Sequence, residues 1–486
     1  MTYKLRPYQE ECVKSISDYI NSDRHDPVLI VAPVAAGKSI LIAEAARLMG
    51  DKTIILQPSK ELLQQNYDKL TSYGISATIY SASCGKKELS NMIYATLGSI
   101  KKVVGQLKEM GIRNVLIDEA HAGYSPEDGS EFMTFMNELK PRKVIGFTAT
   151  PCRLKNMSIG QISYSQLNFI TRMRPVYFKN LIHVIQVEEM IRQGFWTPLK
   201  YETWDFNGDA LKLNSNGSEY TAESISEAVR KNGLNNLILR RLMVLKDVCR
   251  SILVFMDSVE SCNTAAEWMN AKICAGMAEV VHGGTPKKQR EAIVEGFKSG
   301  KTKVVFNYSA LGTGFDHPGL DCVIVGRPTF SFSSFYQWLG RAVRIKDGKD
   351  SALVVDCCNN SSRFGDIRKL SIENYKGYGW GMFIGDKLIT NIPMGDKVTK
   401  TDLDIKAAKK DRRRGLAQGV TAAPVPGRPD HPLGSTVMTF GKYCGWMLHS
   451  IPVSYFKFIN ETFDWDNDRN KDIKEYIDFL IKNNRL

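Results

Sequence analysis

Short apolar runs recur along the chain, separated by stretches whose apolar residues have helical spacing. The runs are rich in Val, Ile and Leu, which is typical of strands that are buried on both faces. The first group lies at 28–32, 53–57, 114–118 and 143–147, and the second at 252–256, 279–282, 303–307, 322–326 and 352–356. Alternation of such strands with helices indicates a parallel sheet with crossover helices. The two groups therefore predict an α/β fold with two lobes in tandem.

The remaining stretches divide the chain further. Residues 154–195 are richer in polar and aromatic residues and are interpreted as a connection between the lobes. Gly385 and Asp386 lie between two strand-like runs and suit a tight hairpin turn. Residues 423–434 are rich in proline and glycine, as in a linker. The predicted parts are lobe one at 1–153, the connection at 154–195, lobe two at 196–365, a hairpin and linker at 366–434, and a small C-terminal module at 435–486.

Composition and charge narrow the class of protein. The chain has 486 residues and a formal net charge of +13, which favours a polyanionic partner. No apolar run approaches the roughly 20 residues of a membrane span, and polar residues follow Met1 directly. We therefore expect a cytoplasmic protein with no membrane partner. The ten cysteines show no C-x-x-C spacing, which argues against a zinc site.

The sequence APVAAGKS at 32–39 follows the first apolar run and precedes a helical stretch. This is the context of a phosphate-binding loop, in which N–H groups at a helix start hold the phosphates of ATP. Lys38 would reach the β- and γ-phosphates and Ser39 would bind Mg²⁺. Ala35 stands where a second glycine is usual, so the loop is expected to be shaped differently or to bind ATP more weakly. The predicted nucleotide contacts of the loop are Ala36, Gly37, Lys38 and Ser39.

The sequence VLIDEAH at 115–121 ends an apolar run with two carboxylates. Ligands bind at the C-terminal ends of parallel strands, and two adjacent carboxylates buried there are costly without a cation. Asp118 is predicted to hold Mg²⁺, and Glu119 to orient and deprotonate the water that attacks ATP. The sequence FTATP at 147–151 follows another apolar run, and its threonines are candidates for coupling the carboxylates to the other lobe.

These motifs are followed by LGTGFDHPGLDCVIVGRPTFSFSSFYQWLGRAVR at 311–344 and VVDCCNNSSRFG at 354–365. In this order the motifs resemble those of helicase superfamily two, specifically its DEAH-box-bearing members. Among these the chain looks most like the RadD-type and restriction-motor-type DNA helicases, over roughly residues 3–365. The resemblance implies two RecA-like lobes and hydrolysis of ATP with Mg²⁺ that drives movement along DNA.

The resemblance also implies contacts in the first lobe. The sequence LRPYQ at 5–9 looks like an adenine-recognising motif, with Gln9 as the reader of the base edge and Arg6 beside it. The sequences PSKELLQQ at 58–65 and YATLGSI at 94–100 resemble motifs that grip a nucleic-acid backbone, a contact that does not depend on base sequence. Ordinary helix capping is the alternative for both. The implied nucleic-acid contacts are Ser59, Thr96 and Ser99.

Two further motifs belong to the second lobe. The sequence GTGFD at 312–316 resembles a motif that touches both ATP and nucleic acid, with Gly314 and Asp316 at the matching places. Further along, Gln337, Arg341 and Arg344 recur three or four residues apart, which is the spacing of one helical face. A planar and permanently charged guanidinium suits the γ-phosphate as charge builds on it. Arg344, with Arg341 beside it, is therefore expected to be the arginine finger.

Several functions stay open at this point. An ATP-dependent DNA helicase comes first, and a duplex translocase that leaves strands paired uses the same chemistry. An RNA helicase is a further alternative, because backbone contacts do not identify the sugar. A nucleic-acid-binding protein gated by ATP without turnover is the least favoured. The basic run at 406–414 suits either a phosphate-contacting arm or a solvated linker, and 439–459 resembles small modules of unassigned role.

Overall fold

The fold is taken from a computed structural model. The residues that it describes are 4–50, 52–159, 162–310, 315–407, 431–439, 443, 446–462, 465 and 470–485. The chain forms two compact units, one of Met1–Asn374 with Trp380–Val398 and the other of Tyr375–Gly379 with Thr399–Leu486. Within the described residues, no helix has both the length and the apolar character needed to cross a membrane.

The first lobe is built on an eight-stranded sheet with helices between its strands. Its strands, with the hairpin that precedes the last of them, are β1 Val28–Val31, β2 Thr53–Leu56, β3 Thr78–Ser81, β4 Lys86–Lys87, β5 Met92–Ala95, β6 Asn114–Ile117, β7 Lys143–Thr148, hairpin strands β8 Cys152–Ile159 and β9 Ile162–Phe169, and β10 Asn180–Val184. The sheet order is β10-β1-β7-β6-β2-β5-β3-β4, and only β4 runs antiparallel to its neighbour. The helices are α1 Pro7–Asn21, α2 Lys38–Met49, α3 Lys60–Ser72, α4 Leu97–Ile100, α5 Val104–Glu109, α6 Glu131–Leu139 and α7 Val187–Arg192.

The second lobe repeats this design with six parallel strands. They are β11 Leu199–Thr203, β12 Ile252–Phe255, β13 Ala278–His282, β14 Val304–Tyr308, β15 Cys322–Val325 and β16 Ala352–Asp356, in the order β11-β16-β15-β12-β14-β13. The helices are α8 Ala222–Lys231, α9 Leu234–Val248, α10 Val259–Lys272, α11 Lys287–Ser299, α12 Phe332–Leu339 and α13 Asn360–Phe364. Alternate residues of β12 enter two different hydrophobic cores, Leu253 and Phe255 one and Ile252 and Val254 the other. This burial on both faces explains the continuous apolar runs.

The two parallel sheets confirm the predicted fold class. All nine apolar runs of the sequence lie on strands of these sheets. Strands β3, β5 and β10 were not predicted. Thr, Ser, Asn or His stands among the apolar residues of β3 and β10, and β5 is an apolar run of only four residues. Strand β10 lies inside the expected connection at 154–195 and pairs with β1. The domain boundaries proposed from the sequence stay a prediction.

The rest of the described chain is less regular. The strands are β17 Leu370–Tyr375, β18 Gly379–Ile384, β19 Lys387–Leu388 and β20 Val398–Thr399. Ile384 pairs with Lys387, which confirms the two-residue turn at Gly385 and Asp386. Helix α14 is described over 400–407, and α15 Val453–Thr462 and α16 Lys471–Lys482 form a small core of their own. The predicted linker at 423–434 and the basic run at 406–414 lie mostly outside the described residues.

Candidate active site

The phosphate loop connects the end of β1 to the start of α2. Gly37 has φ +81° and Ala35 has φ +64°, so the alanine itself takes the left-handed conformation that favours glycine. That conformation costs an L-residue roughly 1–2 kcal/mol. The loop therefore keeps the backbone conformation expected for glycine at position 35, and Ala35 is strained by it.

Helix α1 supports this loop from behind. The Gln9 Nε2 donates to the carbonyl of Ala36 at 2.9 Å, and the Gln9 Oε1 accepts from the backbone N–H of Arg6 at 3.0 Å. Gln9 is only 2% exposed, so its amide braces the loop, and its role in reading adenine stays a prediction. The Arg6 guanidinium lies over the Phe195 ring at 4.6 Å, and both line the cleft in front of the loop. Phe195 was not predicted, because nothing local in the sequence connects it with α1.

Lys38 contacts both carboxylates that follow β6. Its Nζ lies 2.9 Å from Asp118 Oδ1 and also forms a hydrogen bond with Glu119 Oε1. Burial disfavours the charged lysine, but the carboxylates of Asp118 and Glu119 outweigh it and raise the pKa of Lys38. Burial likewise disfavours the charged form of Glu119, and Lys38 and His121 outweigh it and lower the pKa of Glu119. The predicted loop lysine and acidic pair are thus brought together as one buried charged group.

A buried amide network orients Asp118 from the side of α3. The Asn66 Nδ2 donates to Asp118 Oδ2 at 2.9 Å and to Gln57 Oε1 at 3.1 Å. The backbone N–H of Glu119 donates to Asp118 Oδ1 at 2.8 Å. Asn66 and Gln57 were not predicted as site residues, since an Asn within a polar helix carries no signal by itself.

The oxygen atoms at this strand end fit a magnesium ion. The side chains of Asp118 and Glu119 are 1% and 13% exposed, and the ammonium of Lys38 lies against both carboxylates. Burial raises the pKa of Asp118, so a further cation would stabilise its charged form. Mg²⁺ prefers oxygen ligands and is usually held by few protein groups together with substrate phosphates. The described residues contain no group of three or more His, Cys, Asp or Glu that could hold a metal ion. Ser39, in the first turn of α2, lines the same cleft.

The second lobe contributes two arginines. The Nη1 atoms of Arg341 and Arg344 both donate to the Phe315 carbonyl, at 2.7 and 3.0 Å, and Arg344 also forms an ion pair with Asp316. Burial lowers the pKa of Arg341 to about 9, with Arg344 adding to the effect. The expectation that Gln337, Arg341 and Arg344 share one helical face is wrong, because α12 ends at Leu339 and a series of turns follows. All three residues nevertheless line the cleft.

The lobes come into contact beside the phosphate loop. A Cβ on Gly340 would lie only 2.6 Å from the Cβ of Val34, so the backbone of lobe two touches the loop directly there. The cleft between them has a volume of about 420 Å³. The predicted residues that line it are Arg6, Gly37, Lys38, Ser39, Glu119, Asp316, Gln337, Arg341 and Arg344. Three predicted residues do not line the cleft and lie behind the residues that do: Gln9, Ala36 and Asp118. Gly314 falls outside the described residues.

His121 joins the acidic motif to the second lobe. Its Nδ1 lies 2.9 Å from Thr148 Oγ1, and its Nε2 lies 3.2 Å from Ser333 Oγ on α12. Thr150 Oγ1 lies 3.1 Å from the same Ser333 hydroxyl. The two threonines of FTATP therefore meet both the acidic motif and the helix that precedes the arginines. Ser333 was not predicted from the sequence.

The three residues proposed for nucleic-acid contact lie after neighbouring strands of the first sheet. Ser59 Oγ accepts from the backbone N–H of Leu62 and caps α3, which is the capping alternative. Thr96 and Ser99 bond to each other at 3.2 Å, and Ser99 Oγ accepts from the Ala82 N–H at 2.9 Å. Because β2 and β5 are adjacent, these groups lie along one edge of the sheet. Their contact with nucleic acid stays a prediction.

Two protein families match the two lobes. The family described as type III restriction enzyme, res subunit, matches residues 2–153, and the helicase conserved C-terminal domain matches residues 235–346. A 51.5 kDa protein of a Lactococcus phage is 24% identical over 332 residues, which cover 68% of this chain and 65% of that protein. The ATP-dependent DNA helicase Hel308 of Pyrococcus horikoshii is 26% identical over 377 residues, which cover 69% of this chain and 49% of that protein. The chain spans 52% to 65% of the phage protein and of two yeast relatives.

A solved structure shows the same fold. The ATP-dependent Type ISP restriction-modification enzyme LlaBIII bound to DNA superposes with a TM-score of 0.53 at 15% identity, over 87% of this chain and 31% of that one. The RecA-like lobes, the order of the motifs and the two matching families lead to one assignment. Together these findings support a superfamily-two helicase of the restriction-motor type.

Proposed function

We propose that the chain is an ATPase stimulated by nucleic acid, which uses hydrolysis to move along or unwind DNA. The observation that carries the proposal is the convergence of Lys38, Glu119, Arg341 and Arg344 on one cleft. The first two come from one lobe and the arginines from the other. The site is therefore complete only when both lobes face the nucleotide.

The residues have separate tasks in hydrolysis. Lys38 exchanges the two carboxylates for the β- and γ-phosphates of ATP. Mg²⁺, held by Ser39 and Asp118, would neutralise charge on the phosphates. Glu119 then orients the attacking water and accepts its proton. Arg344, with Arg341, stabilises the charge that develops on the γ-phosphate as it is transferred.

Coupling to movement would run through the contacts between the lobes. His121 and Thr150 both meet Ser333, so a change at the acidic motif reaches the helix that precedes the arginines. ATP favours the closed arrangement of the lobes and hydrolysis releases it. If each lobe also grips the strand, with Ser59, Thr96 and Ser99 on the first, one cycle becomes one step along the backbone.

DNA is the favoured track. Hel308 is named as a DNA helicase and the Type ISP enzyme was solved bound to DNA, and both support DNA over RNA. A duplex translocase that leaves the strands paired is the second candidate. It is supported by the match to a restriction-enzyme family and by the DNA 3'-5' translocase XPB2 of Sulfurisphaera tokodaii, 24% identical over 381 residues. A cytoplasmic location stays a prediction.

Steady-state ATP hydrolysis tests the proposal. The chain is assayed alone and with single-stranded, duplex and forked DNA and with RNA, beside Lys38→Ala and Glu119→Gln. Stimulation by one DNA form, lost in both variants, is the expected result, and removal of the base should slow hydrolysis by roughly 10²–10⁴-fold. Lys231→Ala, an exposed lysine on α8, is the control. Binding of ATP without hydrolysis on any polymer would favour the ATP-gated binding protein instead.

A further inference from the structure

A second cavity lies in the second lobe, near the amino ends of its central strands. Its volume is about 360 Å³. Arg250 precedes β12 and Lys303 precedes β14, and these two strands are neighbours in the sheet. The cations that line the cavity are Arg250, Lys298, Lys303, Lys346 and Lys349. The described residues of the lining include no acidic side chain, so charges from separate elements converge on one space.

Buried polar groups form part of the wall. Ser251 is 3% exposed, and its Oγ donates to the Gly319 carbonyl at 3.0 Å and lies 3.2 Å from His317 Nε2. Burial lowers the pKa of His317 to about 4, and three of the lysines that line the cavity add to the effect. The lysines disfavour a further positive charge on His317, which indicates a positive potential in the cavity. The Lys346 ammonium belongs to it, because a Cβ on Gly319 would meet its Nζ at 3.0 Å.

Not every charge around the cavity is available as a donor. The Lys349 Nζ donates to the carbonyls of Ala342, Arg344 and Pro318, at 2.7, 2.8 and 3.2 Å, which uses all three of its N–H groups. Lys349 therefore contributes charge while it holds the backbone that carries the arginines. The nearby Asp321 carboxylate accepts from the backbone N–H groups of Arg250 and Ser251, both at 2.9 Å, and its Oδ2 lies 3.5 Å from the Arg250 Nε. Asp321 therefore offsets part of the charge of Arg250, whereas Lys298, Lys303 and Lys346 come from other parts of the lining.

This cavity and the nucleotide cleft are separate sites that share a wall. Asp316 and Pro318 line the cleft, whereas His317 and Gly319 line the cavity. The chemistry of the two differs as well. The cleft combines cations with Glu119 and Asp316, as a metal-bound nucleotide requires, whereas lysine and arginine are the charged side chains among the described residues that line the cavity.

We propose that this cavity binds the phosphate groups of an anion directly, without a metal ion. Lysine and arginine side chains are the usual partners of phosphate oxygens, and charge-assisted hydrogen bonds to them are strong. The volume lies within the roughly 300–1,000 Å³ of small-ligand sites. A free oligophosphate and the backbone of a DNA strand offer the same chemistry. The site goes beyond the proposed motor activity and does not depend on it.

Binding of sodium tripolyphosphate tests the proposal. The full-length Lys38→Ala variant is used as background, so that the phosphate loop does not compete. Added Lys298→Glu and Lys346→Glu should weaken binding about tenfold or more, because both charges change sign beside the ligand. The matched pair Lys231→Glu and Lys287→Glu lies on exposed parts of α8 and α11 and makes the same change in net charge. It should leave the affinity within about twofold.

The source of the phosphate is decided with DNA. Single-stranded and duplex DNA are titrated against the same variants over a range of salt. If a DNA backbone is the ligand, the Lys298→Glu and Lys346→Glu pair should reduce the slope of log affinity against log salt concentration by about two phosphate contacts, compared with the control pair. Tripolyphosphate should also compete with DNA for binding. If the ligand is free, only tripolyphosphate binding should change. Equal tripolyphosphate affinity in the cavity pair and the control pair would overturn the proposal.

Discussion

The two halves of the nucleotide cleft are built in different ways. In the first lobe, Lys38 is held by two buried carboxylates, and Asn66 orients one of them. In the second lobe, the two arginines share the carbonyl of Phe315, and the ion pair of Arg344 is made with the half-exposed Asp316. The first half carries two carboxylates for one ammonium, and the second carries two guanidinium groups beside one carboxylate.

This difference explains how a nucleotide would bring the lobes together. The first half is short of positive charge and suits the metal ion, whereas the second is positive and suits the phosphates. A metal-bound nucleotide would therefore neutralise both halves at once, because it carries a cation for the first and phosphates for the second. The first half is preassembled by its ion pairs, and we expect the arginines of the second half to turn from Phe315 and Asp316 to the phosphates when a nucleotide binds.

Loss of the responsive half should have the largest effect. With Arg344→Ala we expect stimulated hydrolysis to fall about 10³-fold, because the charge on the γ-phosphate loses its partner. ATP affinity should change far less, since Lys38 and the loop remain. Stopped-flow binding of a fluorescent ATP analogue, together with kcat, separates the two effects. Arg47→Ala, on the exposed side of α2, is the control, and an unchanged kcat in Arg344→Ala would remove this residue from the site.

The contact between Gly340 of lobe two and Val34 of the phosphate loop can be tested by adding a methyl group at position 340. Gly340→Ala places a Cβ about 2.6 Å from that of Val34, so the lobes must separate. We expect kcat/KM for ATP to fall about tenfold, because a small misplacement of the arginines is costly. Val34→Gly in the same chain removes the atoms that clash and should restore most of the activity. Additive effects of the two substitutions would contradict a direct contact.

A smaller effect is expected at the link that runs outside the cleft. Ser333→Ala removes the hydroxyl that meets both His121 and Thr150, and one hydrogen bond is worth about 1 kcal/mol. Stimulation by DNA should therefore decrease roughly fivefold while ATP affinity is kept. The neighbouring Ser334→Ala, whose hydroxyl contacts Ser331, is the matched control. Equal stimulation in the two variants would argue against coupling through Ser333.

The smallest effect concerns strain in the preassembled half. Ala35→Gly should raise the free energy of unfolding by about 1 kcal/mol, since glycine accepts the positive φ without strain. Thermal unfolding should show a melting temperature higher by about 2–4 °C. Ala36→Gly, at a position without positive φ, should be neutral or destabilising. Stabilisation by both substitutions alike would show that the strain at Ala35 is not the cause.

The sequence was informative where neighbouring residues act together. The phosphate loop and the acidic pair could be predicted because a strand, a loop and a helix start follow one another within each motif. The face shared by Gln337, Arg341 and Arg344 was predicted wrongly, because α12 stops at Leu339. Phe195, Asn66 and Ser333 reach the site from distant parts of the chain, and their positions depend on packing that no local pattern records.

The contact between Lys38 and the two carboxylates also bears on the chain between cycles. If Mg²⁺ leaves with the nucleotide, the Lys38 ammonium, which lies against both carboxylates, would serve as their counter-ion. The resting chain would not need magnesium to remain folded. Chelation of magnesium with EDTA should therefore stop turnover and leave the melting temperature unchanged. The concentration of magnesium would then control the rate of ATP turnover and would not affect the stability of the fold.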